Sequence, residues 1–255
     1  MKTRYILTIA GSDILSGGGL QADLATFTVS GLFGFVAQTC MTSVDSGDFD
    51  IIPTAIPVFA KQLKSLADVP FAGIKLGLLP SRELAEQVGS FIQEHDTIPV
   101  VLDPVLVFKE NNDDAISTMR QEMLNLLPYV TVVTPNLRES EILSGMTITT
   151  LSDMKKAAQI LYDLGAKNVI VKGGTRLDKY QAIDLFYDGR EMLELVSPIL
   201  HRNNNGAGCS FAARIASNLA LGRPPLEAIQ EAKAFVYQAI KNSNNYGVVQ
   251  QYEKF

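Results

Sequence analysis

The chain has 255 residues, of which 47% are apolar and 19% charged, a balance typical of a compact globular protein with a large core. Its net charge is −5 and its pI about 5.1, and no block of five or more basic residues occurs, so nucleic-acid and anionic-membrane partners are not expected. No apolar run approaches the roughly 20 residues of a membrane span. No signal-peptide cleavage pattern follows Met1, and the only cysteines are Cys40 and Cys209, so a reducing cytoplasm is the expected compartment.

Short apolar runs alternate with amphipathic segments, which predicts βαβ units and a parallel sheet covered by helices on both faces. Predicted strands span residues 5–10, 35–41, 71–76, 99–102, 130–133 and 168–171. Predicted helices span residues 20–30, 57–66, 82–92, 114–127, 138–143, 152–164, about 206–221 and about 225–240. The polar, acidic pattern of residues 42–53 predicts a flap or an edge hairpin. The pattern of residues 182–196 predicts a β-hairpin with an Asp-Gly turn. No linker or repeat occurs, so we expect one domain over residues 1–255.

Polar side chains follow the ends of four predicted strands, at Asp13, Asp103, Asn136 and Lys172. In open α/β sheets, ligands bind outside the carboxyl ends of the strands. The four positions therefore predict one shared cleft.

Gly206-Ala207-Gly208 precedes Cys209 at the start of an apolar helix. The free backbone N–H groups and the helix dipole at such a start suit a phosphate. The same field favours the thiolate of Cys209, so that residue is a candidate base or nucleophile. The alternative interpretation is that the glycines permit tight helix packing and Cys209 is an inert core residue.

Asn136 and Glu139 also allow two interpretations. Asn at the N-cap with Glu three residues later is a capping box, which is a purely structural device. Alternatively, the carboxylate and amide oxygens at this strand exit position Mg²⁺ for phosphoryl transfer.

Lys172-Gly173-Gly174 is either a simple turn or a place where a nucleotide lies against the backbone. Asp184 lies within an apolar strand, where a carboxylate needs a local or a nucleotide partner. The Gly17-x-Gly19 motif is too far from its strand for a dinucleotide fingerprint, and no Walker A sequence occurs. Any kinase activity would therefore not be of the P-loop type.

The ordered motifs TIAGSD, GGGLQADLATF, KLGLL, VVLDPV, VTPNLRESEIL, VIVKGG, DLFYDG and NNNGAGCSFAARIA resemble the ribokinase-like superfamily. The most similar branch is that of the hydroxymethylpyrimidine kinase-like enzymes, which include bacterial pyridoxal kinases. The resemblance implies a three-layer sandwich with a mostly parallel sheet and a small flap. It also implies a homodimeric, ATP- and Mg²⁺-dependent kinase, with a monovalent cation as a further candidate cofactor.

The resemblance assigns roles by motif. Catalytic roles fall to Cys209, in place of the superfamily's usual aspartate, and to the anion-hole residues Gly206, Ala207 and Gly208. Nucleotide binding falls to Asn136, Lys172, Gly173, Gly174, Thr175, Arg176, Asp184 and Gly208. Substrate binding falls to Gly11, Asp13, Val44 and Cys209, and metal binding to Glu139 and Asp103.

Three positions depart from the family pattern. Ile14-Leu15-Ser16 replaces Ser-Ser-Gly, Asn204-Asn205 replaces Thr-His, and Val44 replaces the glutamine of pyrimidine kinases. Valine cannot hydrogen-bond an aminopyrimidine edge. The expected reaction is therefore phosphorylation of the 5′-hydroxymethyl group of pyridoxal, pyridoxine or pyridoxamine, and the alternative is hydroxymethylpyrimidine or phosphomethylpyrimidine kinase. Whether Cys209 acts as a base or also forms a hemithioacetal stays open, and residues 42–50 are a candidate lid.

Overall fold

The computed structural model describes residues 3–45, 48–106 and 113–251. Within them, nine strands form one sheet in the order β3-β2-β1-β4-β5-β6-β7-β8-β9. The six strands from β2 to β7 in that order are parallel, and β3, β8 and β9 each run antiparallel to their inner neighbour. The predicted mostly parallel α/β fold is confirmed.

The strands are β1 (Tyr5–Ser12), β2 (Phe33–Asp45), β3 (Asp48–Pro53), β4 (Phe71–Leu76), β5 (Val100–Leu102), β6 (Val132–Val133), β7 (Val169–Val171), β8 (Gln181–Tyr187) and β9 (Met192–Pro198). The helices are α1 (Gly19–Val29), α2 (Ile56–Leu66), α3 (Arg82–Gln93), α4 (Asp113–Leu126), α5 (Leu137–Ser144), α6 (Leu151–Asp163), α7 (Ala207–Ala220) and α8 (Pro225–Lys241).

The sheet separates two apolar cores, because successive side chains of a strand point to opposite faces. In β1, Leu7 and Ile9 pack with helices α2 to α6, whereas Ile6 packs with α1, α7 and α8. All three side chains are fully buried. Burial on both faces explains why the central strands are continuous apolar runs.

The two predicted hairpins are both present. Strands β2 and β3 pair antiparallel, so the edge-hairpin interpretation of residues 42–53 is confirmed, although residues 46–47 lie outside the described part. Strands β8 and β9 are joined at Asp188, whose carboxylate accepts the N–H groups of Arg190 and Glu191. Among the described residues, no helix is both long and apolar enough to cross a membrane.

Candidate active site

The start of α7 lies at the carboxyl ends of the central strands. Its N-cap, Gly206, has a left-handed backbone with φ 79°, and a Cβ there would overlap the carbonyl of Gly17. Only glycine fits such a position without strain. The amide of Ala207 donates to the carbonyl of Asn204 at 3.0 Å, so the amides of Gly208 and Cys209 are the ones that the helix start offers to an anion.

A lysine and a carboxylate flank this turn. A Cβ on Gly208 would lie 3.3 Å from Lys172 Nζ and 3.8 Å from Asp103 Oδ2. The other oxygen of Asp103 accepts hydrogen bonds from Lys172 Nζ at 2.8 Å and Thr134 Oγ1 at 3.0 Å. Burial acts to raise the pKa of Asp103, but Lys172 and the nearby Lys75 outweigh it and hold that pKa below its ordinary value. Of the four residues predicted to share one cleft, Lys172 and Asp103 are therefore in direct contact, and Lys172 and Asn136 both line the cleft described below.

Glu139 forms the predicted capping box with Asn136. Its carboxylate accepts the Asn136 N–H at 2.7 Å, and the Asn136 side chain accepts the Glu139 N–H at 2.9 Å. Burial raises the pKa of Glu139 to about 7; Lys172 opposes the shift and Asp103 adds to it. The capping-box interpretation is therefore confirmed, and the same carboxylate also interacts electrostatically with Lys172.

Cys209 packs against the glycine segment of residues 17–19. A Cβ on Gly18 would lie 3.5 Å from the Cys209 sulfur, and the Gly19 N–H donates to that sulfur. Burial nevertheless raises the pKa of the Cys209 thiol to about 11, although Lys75 and the Gly19 amide oppose it. The prediction that the helix field favours the thiolate is wrong, because loss of hydration outweighs the dipole.

Asp13 organises the same glycine segment. Its carboxylate accepts the N–H groups of Gly18 at 2.7 Å and Leu15 at 3.0 Å. A Cβ on Gly18 would lie 3.7 Å from Asp13 Oδ2, so the Asp13 carboxylate and the Cys209 sulfur both lie close to that residue. Gly11 lies at the end of β1, where a side chain would meet the buried thiol of Cys40.

A cleft of about 340 Å³ extends from the start of α7 along the β8–β9 hairpin to α8. Its lining combines the charged side chains of Lys172 and Lys233 with the apolar side chains of Phe211, Val236 and Ile240. Such a mixed lining suits a ligand that has both charged and apolar parts. Predicted nucleotide-binding residues along the wall are Asn136, Lys172, Gly174, Thr175, Asp184 and Gly208.

Asp184 has partners within the protein, which a carboxylate in an apolar strand requires. It accepts the Gly173 N–H at 3.0 Å and pairs with Lys233 at 2.7 Å, and Lys233 itself lines the cleft. Arg176 instead pairs with Glu141 at 2.9 Å and does not line the cleft, so its predicted nucleotide contact has no support from its position.

Sequence reasoning missed the buried ion pair of Asp23 and Lys75. The two charges are 2.8 Å apart with both side chains fully buried, and Thr8 donates to the same carboxylate oxygen at 2.6 Å. Burial alone would lower the pKa of Lys75, but Asp23 and, more remotely, Cys209 and Asp103 raise it above its ordinary value. A lysine within the apolar run FAGIKLGLL was the available signal. Lys233 lies on an ordinary amphipathic helix, and no signal in the sequence indicated that it would pair with Asp184.

Val44 lies near the tip of the β2–β3 hairpin and is 45% exposed. The hairpin is joined to the loop that follows β1 by the Thr42 hydroxyl, which accepts the Ile14 N–H at 3.1 Å. The role of Val44 in substrate choice stays a prediction, as does closure of the hairpin.

These features together are those of a phosphoryl-transfer site on an α/β fold. The similarity of this chain to known proteins supports that conclusion. A family model described as phosphomethylpyrimidine kinase matches residues 13–253. A putative pyridoxine kinase of Staphylococcus epidermidis is 42% identical over 248 residues, covering 95% of this chain and 90% of that protein. A hydroxymethylpyrimidine/phosphomethylpyrimidine kinase of Bacillus subtilis is 34% identical over 254 residues, covering 97% and 93%.

Solved structures give the same result. Pyridoxal kinase from Staphylococcus aureus in complex with pyridoxal has a TM-score of 0.88 at 41% identity, covering 95% of this chain and 89% of that one. Its complex with AMP-PCP has a TM-score of 0.89 at 40% identity, covering 97% and 93%. The chain belongs to the phosphomethylpyrimidine kinase family, within the ribokinase-like superfamily, and is a kinase.

Proposed function

We propose that this protein uses ATP to phosphorylate the 5′-hydroxymethyl group of pyridoxal, pyridoxine and pyridoxamine. The observation that carries the proposal is the turn of residues 206–209, which borders both the cleft of about 340 Å³ and the glycine segment that Asp13 holds. The relatives named pyridoxine or pyridoxal kinase, at 41–42% identity, support this substrate class.

The transferring phosphate binds at the first turn of α7. The Gly208 and Cys209 amides donate to it, and the Lys172 ammonium offsets its charge. Asp103 holds that ammonium at 2.8 Å and fixes its position. Because phosphoryl transfer needs little covalent chemistry from the protein, positioning and charge at this turn account for most of the catalysis.

Cys209 is the proposed proton acceptor for the substrate hydroxyl. Its thiol lies against Gly18, on the side of the turn that faces Asp13. With a pKa of about 11, only about one molecule in ten thousand carries the thiolate at pH 7. The thiolate is correspondingly strong as a base, and the proposal requires the rate to rise with pH.

A divalent cation fits the carboxylates beside Lys172. The described residues contain no group of three metal-ligating side chains, but Mg²⁺ typically uses one or two carboxylates together with waters and substrate phosphates. Glu139 and Asp103 would hold it, since both are carboxylates near Lys172 and each lies within electrostatic reach of the other. When bound, Mg²⁺ neutralises charge on the phosphates.

We further propose a cytoplasmic homodimer. Met41 and Ile52 pair across the β2–β3 hairpin and are 51% and 46% exposed, which gives the sheet edge an apolar surface. Light scattering coupled to size-exclusion chromatography should give twice the 27.8 kDa chain mass.

The alternative acceptor is hydroxymethylpyrimidine or its phosphate. The family description and the 34% identical Bacillus subtilis enzyme favour considering it. Rates of ATP consumption with pyridoxal and with hydroxymethylpyrimidine, measured side by side, decide between them. Faster turnover of the pyrimidine than of all three vitamin B6 forms would overturn the proposal.

A Val44→Gln variant is the matched change for this comparison. It restores the amide that the family pattern places there, so it should raise the pyrimidine rate relative to the pyridoxal rate. An unchanged ratio would show that Val44 does not set substrate choice.

A further inference from the structure

We propose that residues 244–250 form a brace that holds the phosphate-binding turn in place, and that Asn205 is the positioning residue through which the brace acts. The proposal deepens the proposed function, since it takes residues 206–209 as the phosphate site.

Asn205 binds the brace with both its side chain and its backbone. Its side-chain amide donates to the carbonyl of Tyr246 at 2.9 Å, and its own carbonyl accepts the Val248 N–H at 3.0 Å. Its neighbour Asn203 adds a third bond, from its side-chain amide to the carbonyl of Asn244 at 3.0 Å. Three hydrogen bonds therefore join the brace to the residues directly before the turn.

The brace is tightly packed against the residues next to the turn. A Cβ on Gly247 would lie 2.9 Å from the carbonyl oxygen of Asn205 and 2.9 Å from the Cα of Gly17. Both neighbours are backbone atoms, which cannot rotate away as a side chain does. Gly247 and Val248 are buried, although the Asn205 side chain that they meet is exposed.

A second contact reaches the helix itself. The side-chain amide of Gln250 donates to the hydroxyl of Ser210 at 2.6 Å, and Ser210 is fully buried next to Cys209. The brace thus contacts the chain before and after the phosphate turn.

The contacts continue to the substrate side. A side chain on Gly17 would meet both the Asn205 amide and the Tyr246 carbonyl, so Gly17 lies between the turn and the brace. The next residue, Gly18, donates to Asp13 and contacts the Cys209 sulfur. Displacing the brace would therefore change the distance between the proposed phosphate-binding turn, residues 206–209, and Asp13.

The position also explains a departure from the family pattern. The resemblance places Thr-His before the anion hole, whereas this chain has Asn204-Asn205. An asparagine side chain combines a donor with a short, stiff stem, and the Tyr246 carbonyl uses that donor.

The test is Asn205→Ala, with kcat, the KM of each substrate, and Tm measured. Because the side chain is exposed, Tm should change by less than about 2 °C. Because small misplacements at a reacting centre are costly, kcat should fall about tenfold or more, while the KM of pyridoxal changes less than twofold. Gly247→Ala should have the same effect through the steric contact.

The matched controls make the same kinds of substitution at positions away from the turn. Asn242→Ala deletes a bond to Gln251 that does not involve the turn, and Gly89→Ala adds a methyl group where the nearest atom, on Leu126, is 3.4 Å away. Both should keep kcat within twofold of wild type. A kcat within twofold of wild type in Asn205→Ala and in Gly247→Ala would overturn the proposal, as would an equal loss in the controls.

Hydrogen exchange of the peptide backbone at residues 206–209 provides a readout that needs no substrate. Exchange there should be faster in Asn205→Ala than in Asn242→Ala. Unchanged exchange would reject the brace even if the acceptor is not pyridoxal, whereas faster exchange in an enzyme inactive on pyridoxal would reject only the proposed substrate.

Discussion

Replacing Lys75 with Met removes one charge of a fully buried ion pair whose partner, Asp23, lies 2.8 Å away. Met matches the length of the lysine stem, so the main loss is the compensation of the Asp23 charge. Breaking such a pair by removing one partner costs about 3–5 kcal/mol. For a chain of this size each kcal/mol lowers Tm by roughly 2–4 °C, so Tm should fall by roughly 6–20 °C at pH 8.

The loss should depend on pH in a defined direction. In the wild type, Lys75 acts to lower the pKa of Asp23 against the effect of burial. In Lys75→Met the lysine no longer opposes burial and only the Thr8 hydrogen bond does, so the folded-state pKa of Asp23 rises further above its unfolded value of about 3.9. The folded variant then holds a proton that the unfolded chain releases, and its stability falls as pH rises, by up to about 1.4 kcal/mol per unit, until the folded-state pKa is passed. The variant should therefore be closest to wild type near pH 5.

Urea unfolding at pH 5, 6.5 and 8 measures both effects. The double variant Lys75→Met/Asp23→Leu removes both charges and should recover part of the lost stability and most of the pH dependence. Arg82→Met breaks an exposed pair with Glu86 and should leave the unfolding midpoint nearly unchanged at each pH. Parallel stability curves for wild type and Lys75→Met across this range would refute the reasoning.

Three further predictions concern the site. Cys209→Ala should lower kcat by about 100-fold or more and leave the Kd of ADP, measured by calorimetry, within about threefold; wild-type turnover would eliminate the base assignment. In the wild type, kcat should rise about tenfold per unit between pH 7 and 9, because the raised pKa of about 11 keeps the thiol protonated there; a flat profile would contradict a thiolate base. Lys172→Met should weaken binding of AMP-PCP, which keeps a third phosphoryl group, by about ten- to a hundredfold, whereas exposed Lys167→Met should not; equal affinities in the two variants would show that Lys172 does not bind that phosphate.

Local pattern predicted the secondary structure well. The helix after Ser81 begins where the side chain of Ser81 accepts the Leu84 N–H at 3.3 Å, and the Asp-Gly turn forms the β8–β9 hairpin. These elements depend on capping and turn chemistry between residues a few positions apart, which the sequence displays directly. The β1 and β2 strands extend beyond their predicted ends, since the last residues of β1 are fixed by pairing with β2, and those of β2 by pairing with β3, rather than by local preference.

The sequence by itself determined the α/β class, the order of elements and the helix start at Gly206, because periodicity and glycine placement are local properties of the chain. Only the tertiary structure decided how charges compensate: it paired Asp23 with Lys75, gave Asp184 its partner Lys233, and partly buried Cys209, which raises the pKa of its thiol. It also placed residues 244–250 against Asn205, some forty positions away. Such pairings depend on distances between residues remote in sequence, and on the loss of water that accompanies packing, neither of which one sequence displays.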